Sequence, residues 1–190
     1  MKVGLFFGSF NPIHIGHMIV AQTMLDSTFI DELWFVVSPQ NPFKRNNNLL
    51  HEFDRLDMVE AAIASNAKFR TSDIEFNLPK PNYTAHTLAI LSEKHPDKEF
   101  SLIIGGDNLA SFHKWKNYKT ILEHHDLLVY PRPNSKKSEI EISDKVHFIE
   151  APLLDISATF IRSNIKNGHS IKYLVPTEVE DFIARKKFYQ

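Results

Sequence analysis

The chain has 190 residues, a formal net charge of -1, 43% hydrophobic and 12% aromatic content, and no cysteine. That length and apolar content suit one globular domain with a full core, so a single domain over residues 1–190 is expected. The near-zero charge offers no electrostatic footprint for duplex nucleic acid, the missing cysteines exclude disulfides and thiolate metal sites, and no apolar run approaches a membrane span. The expectation is therefore a cytoplasmic protein with no nucleic-acid or membrane partner. Met1–Gly8 reads as a strand, too short for the apolar core of a signal segment.

In chain order, β-rich apolar runs predict strands at Lys2–Phe7, Glu32–Ser38, Lys68–Thr71, Glu99–Ile104, Leu127–Tyr130 and Val146–Glu150. Helical periodicity falls between and after them, at His14–Asp26, Glu52–Ala64, Thr84–Lys94, Tyr118–Glu123, Thr159–Asn167 and Glu178–Lys186. Such alternation argues for a parallel α/β sheet with a small helical part at the C-terminal end. The stops fit: Pro96 follows one helix, and Gly168 stands just past Asn167. Thr177 with Glu180 three residues on predicts a capping box for the last helix. Two polar loops are long. Of these, Pro131–Asp144 is expected to be a connection rather than part of a site.

The chemistry concentrates where the first strand ends. Gly8 to His17 reads Gly-Ser-Phe-Asn-Pro-Ile-His-Ile-Gly-His, a tight turn that empties into a helix carrying two histidines at i and i+3. First-turn amides lack intrahelical acceptors and face the positive end of the helix dipole, so this is an anion site by construction. His14 and His17 share one face and add imidazole donors, Gly8 permits close backbone approach, and Gly16 keeps that face clear. Two other readings are open at this point: ordinary capping histidines, and zinc ligation, which lacks any H-E-x-x-H pattern. A second segment, Asp155-Ile156-Ser157-Ala158-Thr159-Phe160-Ile161-Arg162, starts another helix. Ser157 is its expected N-cap, and Thr159 and Arg162 lie one turn apart. Two helix starts for anions point to a polyphosphate. Walker and G-x-G-x-x-G loops are both missing, which lowers ATPase and nicotinamide-dehydrogenase readings.

Gly8–His17 resembles the G-x-F-x-P-x-H-x-G-H motif of the nucleotidyltransferase α/β superfamily, and His14–His17 spells its HIGH signature. Asp155–Arg162 resembles that superfamily's I-S-x-T-x-I-R motif. Three more segments, Pro81–Leu88, Ile103–Asp107 and Phe112–Trp115, are similar to the bacterial nicotinate-mononucleotide adenylyltransferases. The resemblance implies a Rossmann-like, doubly wound, mainly parallel sheet. It also implies an enzyme that joins ATP to nicotinate mononucleotide, giving deamido-NAD and pyrophosphate, with Mg²⁺ carried on the ATP phosphates and no metal ligands from the chain.

Residue by residue, the resemblance implies that His14 and His17 hold the ATP phosphates and stabilise charge at the α-phosphorus. Ser157, Thr159 and Arg162 bind the β- and γ-phosphates, Arg162 being catalytic together with the histidines. Gly8, Ser9 and Phe10 line the nucleotide crevice through their backbone, and Asp107 accepts from a ribose hydroxyl. For nicotinate mononucleotide it implies Lys44 near the phosphates, Trp115 stacked on the pyridine ring, and the amides around Tyr83, Thr84 and Thr87 at the nicotinate carboxylate. Read without the resemblance, Trp115 is also a packing residue, Asp107 a turn cap and Lys44 a solvated lysine. Phe43, His86 and Lys116 depart from the common family pattern and bear on the acceptor pocket more than on adenylyl transfer. Rival readings are another acceptor nucleotide, a silent nucleotide sensor, and an RNA-binding relative of the HIGH-motif synthetases. Homo-oligomerisation is left open.

Overall fold

A computed structural model describes residues 1–39, 49–132, 143–152 and 154–190. Six strands form one sheet: β1 (Lys2–Gly8), β2 (Glu32–Val37), β3 (Phe69–Ser72), β4 (Glu99–Gly105), β5 (Leu127–Tyr130) and β6 (Val146–Phe148). Their order is β3-β2-β1-β4-β5-β6, and every pairing is parallel. The direction of winding reverses between β1 and β4, so the ligand crevice of such a sheet belongs outside the carboxyl ends of these two strands.

Alternation along the strands divides the core between the two faces. Phe6, Leu33, Phe35, Val37, Ile103 and Leu128 pack with α1 (Ile15–Ser27), α2 (Glu52–Ile63) and α7 (Thr177–Lys186). Leu5, Trp34, Val36, Leu102, Ile104 and Val129 pack on the other side with α3 (Thr84–Lys94), α4 (Gly106–Ser111) and α5 (Tyr118–His124). Neighbouring residues such as Leu5 and Phe6 thus serve opposite layers, which is the doubly wound arrangement expected. The remaining helix, α6 (Ala158–Lys166), joins the first layer through Ile161. Among the described residues, no helix is long and apolar enough to cross a membrane.

All twelve expected elements are present, with ends shifted by one or two residues. His14 is the N-cap of α1 rather than its first residue. The expected capping box at Thr177 does not form: Pro176 is the N-cap of α7, and Thr177 already belongs to the helix. Pro176 carries a fixed φ and an extended ψ, which is cap geometry, and one residue later the chain is helical. Ser157 does cap α6, accepting the Phe160 N–H at 3.2 Å. Unforeseen were α4 and the 3₁₀ turn Phe112–Lys114, which follow β4 without a break.

Candidate active site

The turn after β1 is held from several sides. Phe10 adopts a left-handed backbone (φ 45°) that folds its ring back over Gly8, where a Cβ would meet ring atoms at 2.7 Å. Gly8 is therefore needed to admit the Phe10 ring, whereas the sequence had suggested room for a ligand. Phe10 is 2% exposed and packs edge-on against Phe6, Phe35 and His17. Its side chain is core, so only its backbone can line a crevice. The Ser9 carbonyl faces inward and accepts from Arg55 Nη1.

His14 and His17 stack face to face, with ring centroids 3.7 Å apart. The His14 N–H donates to His17 Nδ1 at 3.2 Å, so a neutral His17 carries its proton on Nε2 and presents that atom as a donor. His14 is 5% exposed, and its Nδ1 is buried with no hydrogen-bond partner among the described residues. Burial first, and then the nearby Arg132 guanidinium, bring the His14 pKa from 6.5 down to about 4. Burial, His14 and Arg132, in that order, hold His17 well below its ordinary value. Both imidazoles are thus neutral at pH 7. A Cβ on Gly16 would sit 3.1 Å from His14 Nδ1 and 3.9 Å from Ile156, so the glycine makes room for the His14 ring, and the second segment lies in ordinary contact range.

Arg162 completes the junction. Its Nη1 donates to the Asn11 carbonyl at 2.8 Å, and its Nη2 to Thr159 Oγ1 at 3.3 Å. The two expected anion segments therefore meet, 151 residues apart in sequence. Among the described residues these segments line two cavities. His14, His17, Arg132 and Ile156 line a tight cavity of about 20 Å³, while Thr159, Arg162, Lys166 and Tyr189 line another of about 560 Å³. A further cavity of about 580 Å³ is lined by Lys2, Glu99 and Asp126, at the amino ends of the strands and opposite this chemistry.

Asp107 lies at the carboxyl end of β4 in the first turn of α4, exposed, with its carboxylate folded over Gly105. Tyr83 caps α3 and Thr84 opens it. The ladder begins with the His86 and Thr87 amides, both bonded to the Tyr83 carbonyl, so the Thr84 and Ala85 amides precede it. The Thr87 side chain is fully buried, and its hydroxyl donates to Glu75 Oε1 at 2.8 Å. Burial raises the pKa of Glu75, opposed by its bonds from Thr87 and Ser38. Trp115 is half-buried, 5.0 Å from Phe112, and the neighbouring Lys116 Nζ sits 4.4 Å over the Tyr83 ring. The Tyr83 and Trp115 segments are thereby brought together. Lys44 and Phe43 lie outside the described residues.

Four residues were missed by sequence reasoning. Arg132 opens the loop expected to be a mere connection, yet it lies over Tyr130 (5.2 Å) beside the histidines. Its signal was available: a Pro-Arg pair directly after an apolar strand, at the same sheet edge as Asp107. Asn11 and Tyr189 meet across the chain, the Tyr189 hydroxyl donating to Asn11 Oδ1 at 2.8 Å. Arg55, on α2, is fully buried and donates to the carbonyls of Ser9, Ser38, Pro39 and Leu50.

A parallel sheet with helix-start donors at its switch point defines a nucleotide-binding α/β protein. A cytidylyltransferase-like family model matches residues 5–164. A protein of Cytophaga hutchinsonii named probable nicotinate-nucleotide adenylyltransferase is 59% identical, over 100% of this chain and 98% of its own length. One of the same name from Flavobacterium psychrophilum is 50% identical over the whole of both. In structure, the nicotinic acid mononucleotide adenylyltransferase of Plasmodium falciparum complexed with NaAD superposes with TM-score 0.82. The likeness covers 99% of this chain and 97% of that one, at 20% identity. The chain belongs to the nicotinate-nucleotide adenylyltransferase family of cytidylyltransferase-like proteins.

Proposed function

We propose that this chain, acting as one domain, transfers the adenylyl group of ATP to nicotinate mononucleotide, releasing pyrophosphate and forming deamido-NAD. The observation that carries the reading is the bond from Arg162 to the Asn11 carbonyl, which holds a guanidinium against the turn bearing His14 and His17.

The nucleophile is the phosphate of nicotinate mononucleotide. A phosphomonoester has a second pKa of about 6, so it is mostly dianionic at pH 7 and needs little general-base help. One of its oxygens attacks the α-phosphorus in line, a new P–O bond forms, the α–β bridging bond breaks, and pyrophosphate departs with its electron pair. His17 Nε2–H and the otherwise orphaned His14 donate to the triphosphate, where charge builds in the transition state. Arg162, Thr159 and the amides capped by Ser157 take the leaving phosphates. The Gly8–Phe10 backbone lines the crevice, and Asp107 accepts from a ribose hydroxyl. On the acceptor side, Trp115 stacks on the pyridine, the Thr84 and neighbouring amides meet its carboxylate, and Lys44 serves the phosphates.

Nucleotidyltransferases of this family generally use a divalent metal with ATP, here assigned as Mg²⁺. The donors at the cleft are imidazoles, guanidiniums and amides, which suit phosphate oxygens, and no cluster of three His, Asp or Glu occurs among the described residues. The residues present fit an ion borne by the phosphates, held in place by the same groups that hold the triphosphate. When bound it neutralises triphosphate charge. As an ATP-consuming enzyme, the protein is assigned to the cytoplasm. The test is pyrophosphate release with ATP, Mg²⁺ and a panel of mononucleotides. Turnover is expected with nicotinate mononucleotide, and none with it in a folded sample would end the reading.

A further inference from the structure

The clamp around Arg162 reaches a residue that the reaction as described does not use. Past α7 the chain turns back through two left-handed residues, Lys187 (φ 56°) and Tyr189 (φ 64°), a conformation costly to L side chains. Between them, Phe188 packs on Phe182, and its N–H bonds the Ile183 carbonyl at 3.1 Å. The outcome is that Tyr189, far from the first turn in sequence, lines the cavity that holds Thr159, Arg162 and Lys166.

Its hydroxyl meets the β1–α1 turn there. Asn11 is buried, and its Oδ1 accepts from both Tyr189 Oη (2.8 Å) and the Leu50 N–H (3.3 Å). The carbonyl of the same residue accepts from Arg162 Nη1. Asn11 is thus a two-sided node: its side chain is gripped by Tyr189, and its backbone aims the guanidinium. The contacts to Asn11 and Thr159 use two of the five N–H donors of Arg162, so the direction of the others follows from where Asn11 is held.

We propose that Tyr189 is a positioning residue for the ATP phosphates, acting through Asn11 on Arg162. It does not touch the reacting atoms. Its hydroxyl donates in the neutral form, and burial, the larger effect, pushes its pKa upward against the pull of Arg162 and Arg55. The inference rests on the function proposed above for the identity of the anion, and on the observed hydrogen bonds for its path.

The test is Tyr189→Phe, which removes one oxygen and keeps the ring. ATP is varied at saturating nicotinate mononucleotide, then the reverse, and ATP binding with Mg²⁺ is titrated calorimetrically. The expected result is a rise of about fivefold in both KM and Kd for ATP, with KM for the acceptor within about twofold and Tm within about 2 °C. In the double variant with Asn11→Ala, the second change should add little to the first. Unchanged ATP affinity, or equal rises in both KM values with a falling Tm, would overturn the proposal. Should the wild type bind ATP yet turn over no nicotinate mononucleotide, the weakened ATP Kd of Tyr189→Phe would still support the clamp while the acceptor assignment fails.

Discussion

Arg55 offers the sharpest test of how the loops at the sheet edge are held. It is fully buried on α2, and its Nη1 serves the Ser9 and Ser38 carbonyls, its Nη2 Pro39 and its Nε Leu50. One planar fork thus ties together the turn after β1, the end of β2 and the approach to α2. Arg55→Lys keeps the charge but gathers its donors on a single nitrogen, which cannot span carbonyls set around a guanidinium. Two of the four carbonyls are expected to lose their partner. A hydrogen bond from a charged donor contributes about 1.5–3 kcal/mol, and relaxation recovers part of that, so a net loss of about 3 kcal/mol is expected. Against a domain stability of about 5–15 kcal/mol the variant still folds. In urea unfolding, with a slope of about 2 kcal/mol per molar, the midpoint should fall by about 1.5 M at unchanged slope. Turnover should fall as well, since the Ser9 carbonyl fixes the turn that carries the histidines. A loss below about 1 kcal/mol would refute the view that this fork organises the edge.

The other expectations are simpler to check. His17→Ala should lower kcat by roughly 10²-fold or more in pyrophosphate release, with its circular dichroism unchanged; a near-normal kcat in the folded variant would remove His17 from the chemistry. His14 titrates at about 4 when folded against 6.5 unfolded, so the unfolded chain takes up protons first as pH falls. Its contribution is complete above pH 6.5 and is lost towards pH 4; between pH 7.5 and 5 the wild type should lose about 2 kcal/mol more than His14→Gln in urea unfolding. Lys116→Met removes the cation seated over Tyr83 and should cut kcat/KM for nicotinate mononucleotide about tenfold with little change for the amide form, an unaltered ratio counting against it. ATP binding near pH 6 should take up protons, seen as a dependence of calorimetric heat on buffer ionisation enthalpy, and no such dependence would contradict histidine charging.

What could be read from the chain was whatever is local. Apolar runs such as Glu32–Val37, the helix start at His14–Ile15 and the Ser157 cap depend on neighbours within a few residues, and each stands within one residue of expectation. The site partners that went unseen are products of tertiary closure. In the sequence, Arg55 reads as a cation on an amphipathic helix, and only folding shows that four carbonyls converge on it. Asn11 and Tyr189 are separated by 178 positions. Phe10 looked like part of a nucleotide loop, but a left-handed φ turns its ring into the core. Thr87 lies in the expected acceptor motif, yet the burial of Glu75 claims its hydroxyl. Both residues were expected to act through their backbone, and what the sequence did not show is where their side chains pack.

The electrostatics of the site explain why its histidines can be packed so closely. Two imidazolium rings stacked at 3.7 Å, beside Arg132 and the positive end of α1, would repel one another strongly. Burial avoids this by keeping both rings neutral, so the fold stores donor positions rather than net charge. On the proposed reading a triphosphate reverses the balance at His14, because its negative charge favours the protonated ring there, while His17 stays neutral, its Nδ1 accepting the His14 backbone N–H and its Nε2–H serving as donor. On that reading, what accelerates transfer is the part of this donation that strengthens as charge grows on the phosphates in the transition state; the part already made to bound ATP only tightens ground-state binding.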